Sequence, residues 1–186
     1  MIGYAVCGSF CTWSRSLVQL KNLVGAGYDV QPIMSEIAYS TDTRFFKASD
    51  FVRELKEITS REVIHTVKDS EPLGPSSPLD ALIIAPCTGN TLAKLSRGIT
   101  DTAVTMAAKA HLRADRPLLI ALASNDAISQ NLESLSHLVC RRSVYFVPMR
   151  QDDPENKPYS LVAEMELIPI ALAAMLRGEQ LRPIFV

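Results

Sequence analysis

The sequence predicts an α/β protein with a doubly wound, mostly parallel β-sheet covered by helices on both faces, a three-layer sandwich. Apolar runs of strand length alternate along the chain with segments whose apolar residues repeat at helical spacing. Such alternation is typical of βαβ units, which build parallel sheets. The run PLLIALA at residues 117–123 has the continuous apolar character of a strand buried on both faces. With 186 residues, we expect a single domain spanning residues 1–186.

The chain begins with a predicted strand and a predicted helix. Residues 2–7 are apolar and stop at Gly8-Ser9, as a strand and its exit turn do. Apolar residues at helical spacing predict a helix over residues 13–24, ended by the glycines of residues 25–27. This Gly-x-Gly precedes a strand and does not follow one. It is therefore no dinucleotide fingerprint, and the chain shows no nicotinamide-binding signature of its own.

The next segment predicts a second strand at residues 28–34, where Pro32 indicates an edge position or a bulge. The spacing of apolar residues over 51–58 predicts a helix, and a brief strand is expected at 63–66. Residues 69–78, DSEPLGPSSP, contain three prolines and predict a loop.

The central part of the chain predicts a buried strand at residues 80–85 and a helix at 91–97 that Gly98 ends. Residues 102–113 predict another helix, rich in alanine and methionine. Its apolar side chains indicate either burial within the chain or a packing face for self-association.

The last part predicts a polar loop after residue 123, a strand at residues 143–147 and a polar, turn-rich stretch from residue 148. Apolar residues that step by four and three over 161–175 predict a final helix, with a kink at Pro169.

The composition excludes several classes of function. Nineteen basic and twenty acidic residues give a net charge of −1, which does not favour nucleic acid or a membrane surface. No apolar run reaches the ~18 residues that span a bilayer, and the N-terminal segment lacks the positive charge of a signal peptide. We therefore expect a soluble, cytoplasmic protein.

The cysteines and histidines predict neither a disulfide scaffold nor a metal site. Cys7 and Cys11 form a Cys-x3-Cys pair without a second pair, and His65, His111 and His137 are scattered. No arginine follows either cysteine at the spacing of a phosphatase loop.

Small and hydroxyl-bearing residues follow four of the predicted strands. They are Gly8-Ser9, Ser35-Glu36, the segment from Cys87 to Thr91, and Ser124-Asn125. In an open parallel sheet the carboxyl ends of the strands share one edge, where ligands bind. Helix N-termini and neutral donors can hold a phosphate there without a cation. The sequence therefore predicts a site for a phosphorylated or carboxylated ligand.

Two simpler interpretations remain open for these residues. Turns and helix starts favour the same residue types, so hydroxyls such as those of Thr12 and Ser14 can be helix caps. Cys87, at a predicted helix start, is either a reactive thiol or a packing residue, and we favour packing.

Residues 86–94, PCTGNTLAK, resemble the Pro-Ala-Ser-Ala-Asn-Thr motif of the FMN-dependent cysteine decarboxylase family. Residues 98–101, GITD, resemble that family's Gly-Ile-Ala-Asp, and residues 123–125 stand in place of its Pro-Ala-Met-Asn loop without the proline and methionine. The segments EPLGP, MAAKAHLR, YFVP and QDDP extend the resemblance over the whole chain to one subfamily. Its members are B subunits of a two-subunit enzyme that makes dipicolinate.

The resemblance implies a flavodoxin-like fold that binds FMN. Carried over by position, the residues that contact FMN or a carboxylate are Gly8, Ser9, Ser35, Thr88, Gly89, Asn90, Thr91, Ser124 and Asn125. It also implies oxidation of a dihydrodipicolinate-type dicarboxylate during sporulation, in the mother-cell cytoplasm, with an A subunit as partner that carries NADP. Homo-oligomers, as trimers or multiples of them, are expected as well.

Departures from the family pattern leave the chemistry open. The family uses a histidine upstream of its motif, and His65 is a weak candidate for this catalytic role because the proline-rich insertion intervenes. A dicarboxylate can pair with arginine, yet Arg113, Arg141, Arg142 and Arg150 are equally explained as surface charges. Two alternatives stand beside the dehydrogenase subunit: a flavin-free assembly subunit, and an FMN-dependent decarboxylase of a small carboxylate.

Overall fold

The computed structural model describes residues 1–74, 76 and 79–186, and its centre is a seven-stranded mixed sheet. The strands are β1 (Ile2–Val6), β2 (Val30–Met34), β3 (Ala81–Cys87), β4 (Leu118–Ser124), β5 (Val144–Phe146), β6 (Met149–Arg150) and β7 (Leu161–Ala163).

The helices cover both faces of this sheet. They are α1 (Trp13–Gly25), α2 (Glu36–Ser40), α3 (Ala48–Thr59), α4 (Val67–Ser70), α5 (Gly89–Arg97), α6 (Ala103–Leu112), α7 (Leu132–Val139) and α8 (Ile168–Leu176). Alternate residues of β1 face opposite ways: Tyr4 and Val6 join a core with α1, α3 and α8, and Ala5 joins a core with α5, α6 and α7. The predicted three-layer sandwich is thereby confirmed.

The strand order is β2-β1-β3-β4-β7-β6, and β5 also pairs with β4. The pairs β1–β2, β1–β3, β3–β4 and β4–β5 are parallel, whereas β7 is antiparallel to both β4 and β6. The amino-terminal half of β4 pairs with β5 and its last two residues pair with β7. Most of the sheet is parallel, as predicted, and the carboxyl ends of β1 to β4 lie at one edge.

The predicted final helix is wrong at its start. Residues 161–163 form β7, and α8 begins only at Ile168 after a 3-10 turn. Pro169 lies in the first turn of α8, where its missing N–H has no helical partner to lose, so it starts the helix and does not kink it.

Three other predictions need correction. The strand expected at 63–66 is reduced to one bridge between Ile64 and Ile33, which still leaves β2 near the edge as Pro32 indicated. Part of the loop predicted at 69–78 is helical, because α4 extends to Ser70 and residues 71–73 form a 3-10 turn; residues 75, 77 and 78 lie outside the described chain. Helix α7 was not predicted, and it occupies the stretch between the polar loop and β5.

The alanine-rich face of α6 is buried within the chain itself. Ala103, Val104, Ala107 and Ala108 have no exposed surface and pack into the core beside β3 and β4. Burial explains this composition, so the helix offers no argument for self-association.

His111 near the end of α6 is buried with one ring nitrogen unpaired. Its Nε2 lies 2.8 Å from the Pro117 carbonyl oxygen and donates to it in the neutral ring, whereas Nδ1 has no hydrogen-bond partner in the described structure. Burial lowers the pKa of His111, opposed by the bond to Pro117; nearby Arg116 lowers it further and Asp80 raises it. Folding therefore favours the neutral ring.

This buried histidine makes stability depend on pH. Above about pH 6.5, the ordinary histidine value, His111 is neutral in both the folded and the unfolded chain. In that range its protonation does not lower the free energy of unfolding. Below that pH the unfolded chain binds a proton that folded His111 resists, so we expect the free energy of unfolding to fall. Urea unfolding at about pH 7.5 and about pH 5.5 measures this loss. In the H111Q variant, which keeps a donor but does not titrate, the loss should be smaller; equal losses would contradict the assignment.

Candidate functional site

The four predicted segments lie at the same edge of the sheet. Because β1 to β4 are parallel, the residues that follow them emerge side by side at their carboxyl ends. The Ser35 amide donates to the Val6 carbonyl at 3.1 Å, and the Cys7 amide donates to the Pro86 carbonyl at 3.2 Å. The end of β1 therefore contacts the ends of both neighbouring strands, β2 and β3.

The hydroxyls of Thr88 and Thr91 are used within the protein. Thr88 is the N-cap of α5: its Oγ1 accepts from the Thr91 amide at 3.2 Å and donates to Thr91 Oγ1 at 3.1 Å. Thr91 Oγ1 in turn donates to Cys7 Sγ at 3.3 Å. These bonds tie the start of α5 to the end of β1, so both side chains shape the site before they contact any ligand.

Cys7 and the nearby Cys87 are both protonated at neutral pH. Burial raises the pKa of Cys7 to about 11, although the Thr91 hydroxyl and the Thr88 amide oppose the shift. Burial also raises the pKa of Cys87 well above its ordinary value, and nearby Cys7 adds to that rise. Cys87 has no exposed surface. The structure thus supports packing, and not a reactive thiolate, as the role of Cys87.

Gly89 is the point where α5 touches the loop that follows β4. A Cβ built at Gly89 would collide with Ser124 Oγ and would lie 2.7 Å from Asn131 Nδ2 and 2.8 Å from Asp126 Oδ1. The Ser124 hydroxyl itself donates to the Asp126 carboxylate. Close packing between two chain segments is therefore sufficient reason for a glycine here.

Three side chains at this edge make no hydrogen bond to the described residues. Ser9 makes no capping bond to the turn that it begins, and Asn90 and Asn125 are exposed. Above Gly8, a Cβ would meet only the Phe10 ring, at 3.5 Å. Ser35 differs, since its Oγ accepts from the Ala38 amide at 3.3 Å and so caps α2.

This donor set suits a neutral-donor site for phosphate and polar groups. A hydroxyl, two amide side chains and the start of the nine-residue helix α5 face the same edge, and helix starts attract anions. Among residues 1–74, 76 and 79–186, no group of three histidine, cysteine, aspartate or glutamate side chains is placed to hold a metal. The residues present fit the phosphate group of a cofactor such as FMN.

His65 lies beside the exit of β2, one residue after the bridge at Ile64. Its ring stacks on Tyr39 of α2 with 3.7 Å between ring centroids and 6° between the planes, and its Nδ1 is 3.4 Å from the Val63 carbonyl oxygen. This stacking holds the imidazole in one orientation and is a structural reason for a histidine at this position. The ring nevertheless lies near the candidate site.

The four arginines considered as dicarboxylate ligands do not converge on this edge of the sheet. Arg150 pairs with Glu164 at 2.6 Å and Arg142 with Asp115 at 3.2 Å. Arg113 follows α6 just before β4, and Arg141 precedes β5, so both lie at the opposite, amino-terminal edge of the sheet.

The hairpin formed by β6 and β7 was missed and forms a border of this edge. Ser124 pairs with Leu161, and the Ile128 amide donates to the Tyr159 carbonyl at 3.1 Å, so residues 151–160 lie against the β4 exit. Arg15 near the start of α1 reaches this hairpin region through Glu166, with its Nη2 2.6 Å from the carboxylate. A cavity of about 260 Å³ lies here, lined in part by Arg15, Arg150 and Glu164.

Comparison with known proteins identifies the class. The model of the Flavoprotein family matches residues 1–166, and the chain belongs to that family. Among curated relatives it is similar to the B subunit of dipicolinate synthase from Bacillus subtilis (strain 168), with 40% identity over 185 residues that cover 100% of this chain and 92% of that protein.

Solved structures agree with this family. The crystal structure of the dipicolinate synthase B subunit from Bacillus halodurans C has a TM-score of 0.91 and 38% identity, and covers 100% of this chain and 95% of that one. The FMN-dependent cysteine decarboxylase SpaF shares the fold, with a TM-score of 0.67 and 20% identity over 95% of each chain. The predicted flavodoxin-like flavoprotein fold is confirmed.

No helix in the described part of the chain has both the length and the apolar character needed to cross a membrane.

Proposed function

We propose that this chain is the B subunit of a dipicolinate synthase. The observation that carries the proposal is similarity along the whole chain to a relative of that name, at 40% identity. The single-domain organisation over residues 1–186 belongs to the same proposal, as does a role in the mother-cell cytoplasm during sporulation.

The proposed reaction oxidises a dihydrodipicolinate-type dicarboxylate to dipicolinate. The substrate would lose two hydrogens, as a hydride and a proton, and NADP⁺ held by the A subunit would be the acceptor of the hydride. The missing nicotinamide fingerprint in this chain agrees with a pyridine nucleotide on the partner. Homo-oligomers, as trimers or multiples of them, complete the proposed assembly.

FMN is the proposed cofactor at the carboxyl edge of the sheet, and when bound it supplies redox chemistry. Ser9 and Ser35, which precede helical segments near Gly8, are the proposed contacts of its phosphate. Asn90 and Asn125 are the free amides that can donate to a phosphate, a ring carbonyl or a substrate carboxylate. Thr88, Gly89, Thr91 and Ser124 hold these segments in place. His65, stacked on Tyr39, remains the candidate for moving a proton.

Release of flavin from the purified chain tests cofactor binding. After heat denaturation, the absorbance of the supernatant should correspond to about one released flavin per chain, because the helix starts at this edge form one phosphate site. The N90A variant should bind FMN about tenfold more weakly, because it loses one hydrogen bond to a charged or polar group. N22A, an exposed asparagine of α1, is the matched control and should bind normally. Flavin-free protein that also fails to take up added FMN would contradict the proposal.

A flavin-free assembly subunit is the second candidate, and one observation favours it. The hydroxyls of Thr88, Thr91 and Ser124 are already engaged in internal bonds, so fewer predicted donors are free for a ligand. A colourless chain that nonetheless raises dipicolinate formation by the A subunit would favour this candidate.

An FMN-dependent decarboxylase is the third candidate, suggested by the fold shared with SpaF. Dipicolinate formation measured with and without the A subunit separates it from the first. Activity that requires both subunits supports the proposed synthase, whereas carbon dioxide release by this chain alone from a small carboxylate supports the decarboxylase.

A further inference from the structure

A second cavity lies at the end of α5, against the outward face of α6. Its volume is about 230 Å³, and its apolar walls come from Leu95, Ile99 and Leu112. Lys109, Arg113 and Arg141 also line it, and no acidic residue of the described chain does. One ring-sized molecule fits this volume, which is below the ~300–1,000 Å³ typical of larger ligand sites.

The three cations at this cavity lack the partners that neighbouring cations have. Lys94 pairs with Asp101 at 2.8 Å, Arg97 with Glu133 at 3.6 Å and Arg142 with Asp115 at 3.2 Å. In contrast, Lys109, Arg113 and Arg141 form no ion pair with any residue in 1–74, 76 or 79–186. Among the described residues, the positive charge at the cavity therefore has no ion-pair partner.

Two of these exposed cations lie close together on α6. Lys109 and Arg113 are four residues apart and lie on one face at the carboxyl-terminal end of α6, so their charges repel. Arg141 adds a third positive charge from the segment after α7. A bound anion would relieve this repulsion, and arginine can hold a carboxylate through two parallel hydrogen bonds.

We infer that this cavity binds a small anion that combines a planar apolar ring with carboxylate groups. The ring packs against Leu95, Ile99 and Leu112, and the carboxylates pair with Lys109, Arg113 and Arg141. The cavity lies near the amino ends of β4 and β5, at the opposite edge from the proposed flavin site. The inference therefore stands independently of flavin binding and of the proposed reaction.

Calorimetric titration of the full-length chain with isophthalate tests this inference. Isophthalate should bind one per chain, and the affinity should fall as salt is added because the pairs are partly exposed. Isophthalamide, a neutral molecule of the same shape, should not bind. Absence of isophthalate binding, or equal binding of the amide, would overturn the inference; competition by sulfate at equal concentration would overturn the role given to the ring.

Single substitutions locate the bound anion. R113Q and R141Q should each weaken isophthalate binding about tenfold or more, because each removes a charge-assisted hydrogen bond. R142Q removes an adjacent exposed arginine that already pairs with Asp115, and it should bind as the unmodified chain does. Unchanged affinity in both R113Q and R141Q would place the ligand elsewhere and refute the site. Thermal unfolding of each variant verifies the fold, which these exposed side chains do not support.

Discussion

Replacing Trp13 with alanine is expected to lower the free energy of unfolding by about 3–5 kcal/mol, the usual cost of truncating a buried aromatic side chain. Trp13 has no exposed surface. Its ring stacks on Phe51 with 4.0 Å between centroids and contacts Phe10 at 4.8 Å. Its indole N–H also donates to the Cys7 carbonyl at 2.8 Å, directly before Gly8-Ser9. The substitution removes core packing and the bond that fixes the β1 exit.

The W13F variant separates these two contributions. Phenylalanine keeps most of the stacking and loses the bond to Cys7, whose carbonyl still accepts from the Ser9 amide at 3.0 Å. A loss of about 1 kcal/mol is expected for this variant. Urea unfolding followed by far-UV circular dichroism is the suitable measurement, because Trp13 is the only tryptophan and its fluorescence disappears with it. An alanine variant no less stable than W13F would contradict the packing argument.

The elements that sequence reasoning found are those with a strong local pattern. Residues 118–123 of β4 are all apolar because helices cover both faces of this strand. Helix α5 ends at Gly98, in the left-handed conformation that glycine adopts easily. The burial pattern of each element is encoded within that element, so it can be read without knowing what packs against it.

The elements that were missed depend on distant partners. Strands β6 and β7 have two and three residues, too few for a periodic signal, and they exist because β7 pairs with the end of β4. Helix α7 is eight residues long and buries Leu135 and Leu138 between polar segments, which obscures its apolar face. Pro169 was interpreted as a kink because the preceding strand was not anticipated.

At the candidate site, too, one part was predictable from the sequence and another part was not. Topology alone places the exits of β1 to β4 together, so the edge could be predicted from the order of strands and helices. The direction of each side chain could not. Thr88 and Ser35 have hydroxyls of the predicted type, yet both oxygens accept from amides of their own helices. Asn90 and Asn125, which are exposed, therefore remain better candidates for ligand contact than Thr88 and Ser35.

Gly89 is where packing and cofactor binding give opposite expectations. If the glycine is required because Ser124, Asp126 and Asn131 lie too close for a Cβ, then G89A must push these groups apart. The free energy of unfolding should fall by about 1–3 kcal/mol, the usual cost of overpacking. If the glycine serves only close approach of a ligand, stability should be unchanged and FMN affinity alone should fall.

We expect the first of these outcomes for G89A, with G25A as the matched control. A Cβ at Gly25, the last residue of α1, meets no atom within 4 Å. There the substitution should raise stability by about 0.4–1 kcal/mol, because it restricts the unfolded chain. Urea unfolding of both variants, with FMN uptake measured on the same samples, makes the comparison. A G89A protein as stable as G25A would show that the neighbouring side chains move aside at little cost. Close approach of a ligand, and not packing, would then explain Gly89.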